Sequence, residues 1–367
     1  MIPMGIRAYD AEREDRIPIG MGTLAPMRTL ALAALAVLVV GCGGSESESG
    51  GTPGGSAKKT AIYVSTNPLG TNQFLNLIAN GAKAGGAECG VDVKVVQSND
   101  PNQLAANLRA AAQAKPDLII ANSFDSVQTI GQLAKQNADQ RWALVDATVE
   151  NTPNLRGILF KENEGMYLIG AAYALLASDG AGDFPASPSV GFVGAIDNAL
   201  VRRWYAGMEQ GVKDTAPEVE VLQGWGNSYT DPATSKELAL SQAQKGAKYI
   251  AAVAAAGNSG VFEAAAERDF YTSGVDVDER PKDPDHIILS MVKRSDLAVK
   301  EAVCEVGKGT FKGGDVALGV KEGAVGPDFL TLPEGELELP TKLPQEVQDE
   351  LTALKDKIVA GEITVKQ

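Results

Sequence analysis

Ala61-Ile-Tyr-Val-Ser65 is a short β-type run, followed by helical periodicity from Asn72 to Gly86 and by a second β-type run, Val91-Asp-Val-Lys-Val-Val-Gln97. Strand, helix and strand in that order form the unit of a parallel sheet, because parallel neighbours need a crossover long enough to hold a helix. The rhythm continues downstream. Helical patterns at Asn102 to Ala114 and Ser126 to Ala138 separate strands at Asp117 to Ala121, Trp142 to Asp146 and Leu155 to Phe160. A helix at Met166 to Ala177 then runs into a Gly/Pro/Ser/Asp-rich break at Ser178 to Ser189, and the pattern restarts. Strands at Val190 to Val193, Val219 to Gln223, Tyr249 to Ala254 and Tyr271 to Asp276 alternate with helices near Val201 to Thr215, Pro232 to Lys245 and Gly260 to Arg268. Two successive sets imply an α/β protein of two doubly wound lobes, each a parallel sheet covered on both faces.

Ligands of such sheets bind at the carboxyl ends of the strands. The polar residues that follow the apolar runs are therefore the ones to inspect: Asn67, Asn122 to Asp125, Asp146, Asp197, Gly257-Asn258-Ser259 and Asp276.

Composition narrows the function. The chain has 367 residues, with Lys+Arg 33 against Asp+Glu 47 and a formal net charge of -14. The charge is spread without a basic cluster, which argues against nucleic acid as a partner, since phosphate backbones are bound by Lys and Arg. His286 is the lone histidine, and no CxxC or Cys/His cluster occurs, so neither a zinc site nor another cofactor is expected. No Gly-x-Ser-x-Gly elbow and no Walker-type loop is present, and Gly307-Lys-Gly-Thr310 has no strand before it.

The amino-terminal part carries an address. Leu30 to Val40 is apolar, follows Arg28 and ends in Gly41-Cys42. The run falls short of the roughly 20 residues needed to span a bilayer and has the layout of a secretory signal. Val39-Val40-Gly41-Cys42 resembles a bacterial lipobox, which implies a lipidated Cys42, a discarded leader and signal at 1–41, and a Gly/Ser/Glu-rich linker at 42–58. A buried helix with an incidental cysteine is the alternative. Acidic residues at Asp10, Glu12, Glu14 and Asp15 do not suit a signal, so translation is expected to begin at Met21 or Met27. With Cys42 assigned to lipid, Cys89 and Cys304 remain as either a disulfide or two buried thiols.

Several stretches fall in a fixed order: Phe160-Lys-Glu-Asn-Glu-Gly-Met-Tyr-Leu-Ile-Gly170, Val190-Gly-Phe-Val-Gly-Ala195, Tyr205-Ala-Gly-Met-Glu-Gln-Gly-Val212, Ser228-Tyr-Thr-Asp-Pro-Ala233, Ala255-Ala-Gly-Asn-Ser-Gly260, Gly274-Val-Asp-Val-Asp278 and Leu289-Ser-Met-Val-Lys-Arg294. Their collinear occurrence over about residues 60 to 300 resembles the basic membrane lipoprotein family, substrate-binding proteins of ABC transporters that typically capture purine nucleosides. The resemblance implies a type I periplasmic-binding-protein fold with three crossovers between the lobes and the ligand clamped between them. Lobe 1 is expected at 59–160 and 279–312, lobe 2 at 161–278 and 313–367. Cys89 and Cys304 then share lobe 1.

The resemblance also implies site residues. Asp276 corresponds to the family carboxylate that accepts from ribose hydroxyls, and Lys293 to the lysine that donates to the same sugar. Phe74 matches the aromatic on which the base stacks, and Gly257 admits the backbone close to the ligand. Bland alternatives are a turn or cap for Asp276, a surface position for Lys293 and core packing for Phe74. Trp204, Tyr229 and Trp225 are further aromatic candidates. The chain departs from the family in its first loop, Ser65-Thr-Asn-Pro-Leu-Gly-Thr-Asn-Gln-Phe-Leu75, where neutral Asn67 and Asn72 replace carboxylates. Asp125 and Asp146 remain as acidic partners in lobe 1, and Asn122 as a neutral one.

The expected function is a monomeric, lipid-anchored, extracytoplasmic receptor that hands a nucleoside-like small molecule to ABC permease subunits. An extracytoplasmic hydrolase of nucleosides or other small solutes and a ligand-sensing subunit of a signalling system are the alternatives.

Overall fold

The computed structural model describes residues 58–70 and 72–367, so the leader, Cys42 and the linker up to residue 57 lie outside the described residues. In chain order the elements are β1 (Thr60–Ser65), α1 (Gln73–Cys89), β2 (Asp92–Gln97), α2 (Pro101–Ala114), β3 (Leu118–Asn122), α3 (Val127–Gln136), β4 (Trp142–Val145), β5 (Leu155–Phe160), α4 (Glu162–Asp179), β6 (Ser189–Gly194) and α5 (Ala199–Thr215). There follow β7 (Glu220–Trp225), α6 (Pro232–Gln244), β8 (Tyr249–Val253), α7 (Asn258–Arg268), β9 (Tyr271–Asp276), β10 (Ile287–Lys293), α8 (Ser295–Lys308), β11 (Val316–Leu318), β12 (Val325–Pro327), α9 (Asp328–Thr331) and α10 (Gln345–Ala360).

Two sheets of six strands result, in the orders β11-β5-β4-β3-β1-β2 and β12-β10-β9-β8-β6-β7. All pairings are parallel except β10 with β12. The sequence pattern explains the layering. Central strands such as Leu118–Asn122 and Tyr249–Val253 are buried along their whole length, as strands between two helical layers must be. Edge strand β2, Asp92–Gln97, alternates exposed and half-buried residues instead. Separate apolar clusters fill the outer faces of the two sheets.

The chain passes between the sheets three times: from β5 into α4 at Lys161, from β10 into α8 at Arg294, and between β11 and β12 at 319–324. The passages lie side by side. Lys161 N–H donates to Leu318 O at 2.9 Å, Arg294 N–H to Ala324 O at 2.8 Å, and Val320 N–H to Glu164 Oε2 at 2.9 Å.

This arrangement corrects the expected boundaries at 279 and 313. Strand β10 pairs with β9 and β12 and so belongs to the second sheet, while β11 pairs with β5 and belongs to the first. The second passage therefore falls after Lys293. Helix α8 returns to the first lobe by packing along α1, so closely that a Cβ at Gly81 would come 2.2 Å from the Asp296 carbonyl oxygen. A disulfide between Cys89 and Cys304 staples the far ends of these two helices, with Cα atoms 5.0 Å apart.

Candidate functional site

Both sheets follow the strand order in which the chain reverses direction between its first and third strands, which leaves a crevice at their carboxyl ends. A cavity of about 660 Å³ occupies that place and is lined from both lobes. The size suits a small organic ligand.

Five non-glycine residues with positive φ border it: Ser123 (φ 70) after β3, Asp146 (φ 63) after β4, Asn227 (φ 54) after β7, Ala255 (φ 53) after β8, and Asp276 (φ 68) at the end of β9. Such conformations cost about 1–3 kcal/mol each and persist only where the surroundings hold them, commonly at functional sites. The two lobes match each other here, for Asp146 follows and Asp276 ends the fourth strand of their respective βα series.

Lys293, the last residue of β10, stands between these two aspartates. Its Nζ donates to Asp146 Oδ2 at 2.7 Å and lies 3.6 Å from Glu162 Oε1 and 3.9 Å from Asp276 Oδ1. Three rings surround the ammonium, with centroids at 4.5 Å (Phe74), 5.3 Å (Phe160) and 5.4 Å (Trp204), within the range of a cation–π attraction. Arg203 completes the group by donating to Glu162 Oε2 at 2.6 Å. Two cations therefore face three carboxylates, which leaves one negative charge in excess.

Burial first, and the neighbouring charges second, set how these groups shift. Burial pushes the Asp276 carboxyl up to about 6, with Lys293 opposing the shift and Asp146, Glu279 and Glu162 adding to it. Burial likewise raises Glu162. For Lys293 burial acts downward, yet Asp146, Asp276 and Glu162 outweigh it and hold the ammonium protonated. Buried oxygens of Asp146, Glu162 and Asp276 have no hydrogen-bond partner within the protein. Acceptors buried without donors are costly, so a ligand that brings donors gains more here than in water.

Of the residues expected from the sequence, Asn67, Asn72, Phe74, Asn122, Asp125, Asp146, Asp276 and Lys293 all line the cavity. Their availability differs. Asn72 is the N-cap of α1, its Oδ1 accepting from Leu75 N–H at 3.2 Å. Asn122 is engaged at both ends of its amide, accepting from the Tyr63 hydroxyl at 3.0 Å and donating to Thr66 Oγ1 at 3.1 Å. Asn67 and Asp125 are exposed in the cleft. Gly257 does not line the cavity; a Cβ there would meet Ser235 Oγ at 2.8 Å, so it serves the approach of α6 and not of a ligand. Phe74 is half-buried and meets the Lys293 ammonium. Trp204 and Tyr229 line the cavity as well, whereas Trp225 packs against Phe192 and Tyr205.

Glu162 and Arg203 escaped the sequence reading, and Phe124, which lines the cavity, falls within the stretch Asn122 to Asp125 without being singled out there. Glu162 and Phe124 each follow the carboxyl end of a strand, β5 and β3, and that position was the available signal. Arg203 sits within α5, where nothing in the sequence distinguishes it from neighbouring Arg202.

The chain matches the family model described as "ABC transporter substrate-binding protein PnrA-like" over residues 71–367. It is 28% identical to an uncharacterized lipoprotein of Pyrococcus furiosus, covering 81% of this chain and 76% of that one. It is 25% identical to the ABC transporter nucleoside-binding protein BmpA of Lactococcus lactis, over 92% of this chain and 96% of the relative. Among solved structures, an ABC transporter solute-binding protein from Aeropyrum pernix superposes with a TM-score of 0.71 at 26% identity, covering 84% of this chain and 94% of that one.

Proposed function

Because the chain belongs to the PnrA-like family of ABC transporter substrate-binding proteins, we propose that the ligand it captures for import is a nucleoside. The observation that carries this reading is Asp276, a buried carboxylate on the cavity wall whose Oδ1 lacks a partner. Two adjacent sugar hydroxyls supply the donors that an ionised carboxylate accepts, and Lys293 beside it supplies a donor in return. The name of the Lactococcus lactis relative supports the same ligand class.

The protein acts as a monomer, tethered outside the cytoplasm through lipid on Cys42. Relatives named as lipoproteins support that placement. The linker at 42–58 keeps the receptor near its permease, where local concentration favours transfer. Lobe 1 comprises 59–160 with α8 and β11, and lobe 2 the rest from 161. Closure is a hinge motion at the three adjacent passages.

A thermal-shift screen over nucleosides, free bases and sugars tests the reading, since a ligand that binds only the native state raises the melting temperature. A nucleoside should give the largest shift and be recovered intact. Release of free base during incubation would point to hydrolysis instead.

A further inference from the structure

Glu279 follows Asp276 by three residues, is 3% exposed and does not line the main cavity. Its carboxylate is fully engaged inside the second lobe. Oε2 accepts from Asn258 Nδ2 at 3.0 Å and from Val275 N–H at 3.1 Å, while Oε1 accepts from Lys282 Nζ at 2.5 Å.

Those bonds join two of the strained strand ends that border the cavity. Val275 immediately precedes Asp276 (φ 68), and Asn258, the first residue of α7, turns its Oδ1 to Ala254 N–H at 2.7 Å, just before Ala255 (φ 53). A single carboxylate oxygen thus ties the backbone on the near side of both. Glu279 is itself fixed in place. Its N–H donates to Ser290 Oγ in β10 at 3.0 Å, and a Cβ at Gly274 would come 2.5 Å from its Cβ. Arg280 beside it is held by Asp278 at 2.7 Å and by Asp328 at 3.1 Å. Backbone conformations of this kind persist only where the surroundings hold them.

Glu279 also reaches Asp276 through its charge. Asp276 is faced by Lys293 of β10, by Asp146 after β4, by Glu162 of α4 and by Glu279, and of these the three carboxylates oppose its ionisation. A residue that served packing alone would leave no such mark on the titration of its neighbour.

We propose that Glu279 is a positioning residue for the ligand-binding carboxylate: through Val275 and Asn258 it sets the strand ends that carry Asp276 and Ala255, and so aims Asp276 into the cleft. It acts through these neighbours without touching the ligand. The proposal rests on the reading of Asp276 as the acceptor of sugar hydroxyls. Side chains that orient a binding group from one layer out matter because the group must be held to within about 0.5 Å.

Calorimetric titration of the full-length protein with adenosine and D-ribose, at about pH 8 and about pH 5 on either side of the carboxylate transition, tests the assignment. Glu279→Ala should remain folded and lose affinity for both ligands by about tenfold or more, as loss of outer partners does at metal ligands. Glu279→Gln keeps one oxygen for Asn258 and Val275 and removes the charge, so at about pH 8 its affinity should stay within about threefold of the unaltered protein. At about pH 5 it should bind more tightly than the unaltered protein, because Asp276 then stays ionised to lower pH. Unchanged affinity in a folded Glu279→Ala overturns the proposal. So does a Glu279→Gln variant that loses as much as Glu279→Ala with its pH dependence unmoved. Should Glu279→Ala fail to fold, Asn258→Ala cuts one arm of the link: weaker binding of the ligands upholds the proposal, and unchanged affinity overturns it. If the unaltered protein binds ribose but not adenosine, the nucleoside reading fails, and loss of ribose in Glu279→Ala still upholds the role of Glu279. Binding of neither by the unaltered protein overturns both.

Discussion

Lys293 Nζ stands 3.9 Å from Asp276 Oδ1, too far for a hydrogen bond, while it donates to Asp146 at 2.7 Å. The lysine is thus committed to one aspartate and leaves the other partly unpaired. Without Asp276, the charges of Lys293 and Arg203 would balance those of Asp146 and Glu162. Asp276 is the surplus charge, kept at a cost to stability and available to a ligand.

Asp276→Asn should therefore stabilise the ligand-free protein at pH 7.5, by on the order of 1–3 kcal/mol, because it removes an uncompensated buried charge while preserving shape. Urea denaturation measures this. The same variant should lose nucleoside affinity, since the amide keeps one acceptor oxygen and puts a donor where the carboxylate has its second acceptor. A variant less stable than the parent would show that Asp276 is a structural counter-ion.

The pH dependence follows from the direction of the shift. A carboxyl raised from 3.8 to about 6 contributes stability at low pH that is lost as pH rises through about 6. The stability advantage of Asp276→Asn should then be small near pH 4 and grow by about 1.4 kcal/mol per pH unit up to about 6. Asp328, which burial raises to about 7 despite Arg280 beside it, adds a similar loss over a slightly higher range in both proteins. Ligand binding has the opposite sign. Affinity should be level above about pH 7 and fall about tenfold per unit below about 6, as protons compete for the ionised carboxylate.

Lys293→Met removes the cation and leaves Asp146, Glu162 and Asp276 facing one another. Breaking a buried ion pair from one side costs about 3–5 kcal/mol. The double variant with Asp146→Asn should recover part of that loss, and a double variant no more stable than Lys293→Met alone would remove Asp146 as the principal partner.

Cys89 and Cys304 are 215 residues apart in sequence and join α1 to α8 at the end remote from the cavity. Replacing both by alanine should cost about 2–4 kcal/mol of stability through the freer unfolded chain. Nucleoside affinity should be unchanged, because Asn72 and Phe74 lie at the opposite end of α1. Calorimetry on the double variant distinguishes this from a role in shaping the site.

Much of the fold was legible because its strands and helices are long enough to show a period. Strands β11 and β12, of three residues each, carry none, and their pairing decides which lobe owns the chain after Lys293. The site was legible to the extent that strand ends mark it: Asn122, Asp146 and Asp276 are at the cavity for that reason. What strand ends do not disclose is which side chains are spent on the fold, as with Asn72 capping α1 and Gly257 admitting Ser235. Nor do they disclose partners that meet only after folding. Glu162, itself fully buried, meets Arg203 and Lys293, so that three residues from three different elements converge. Phe124 lies in a polar run, where a single aromatic reads as ordinary surface.

Asp276 is proposed as the anchor of a nucleoside in the cleft. Calorimetric titration of the full-length protein and of Asp276→Ala with a panel of purine nucleosides tests it most directly. The unaltered protein should bind saturably and one-to-one, with the nucleoside recovered intact, and the variant should remain folded and show no detectable binding. Undiminished affinity in Asp276→Ala would contradict it.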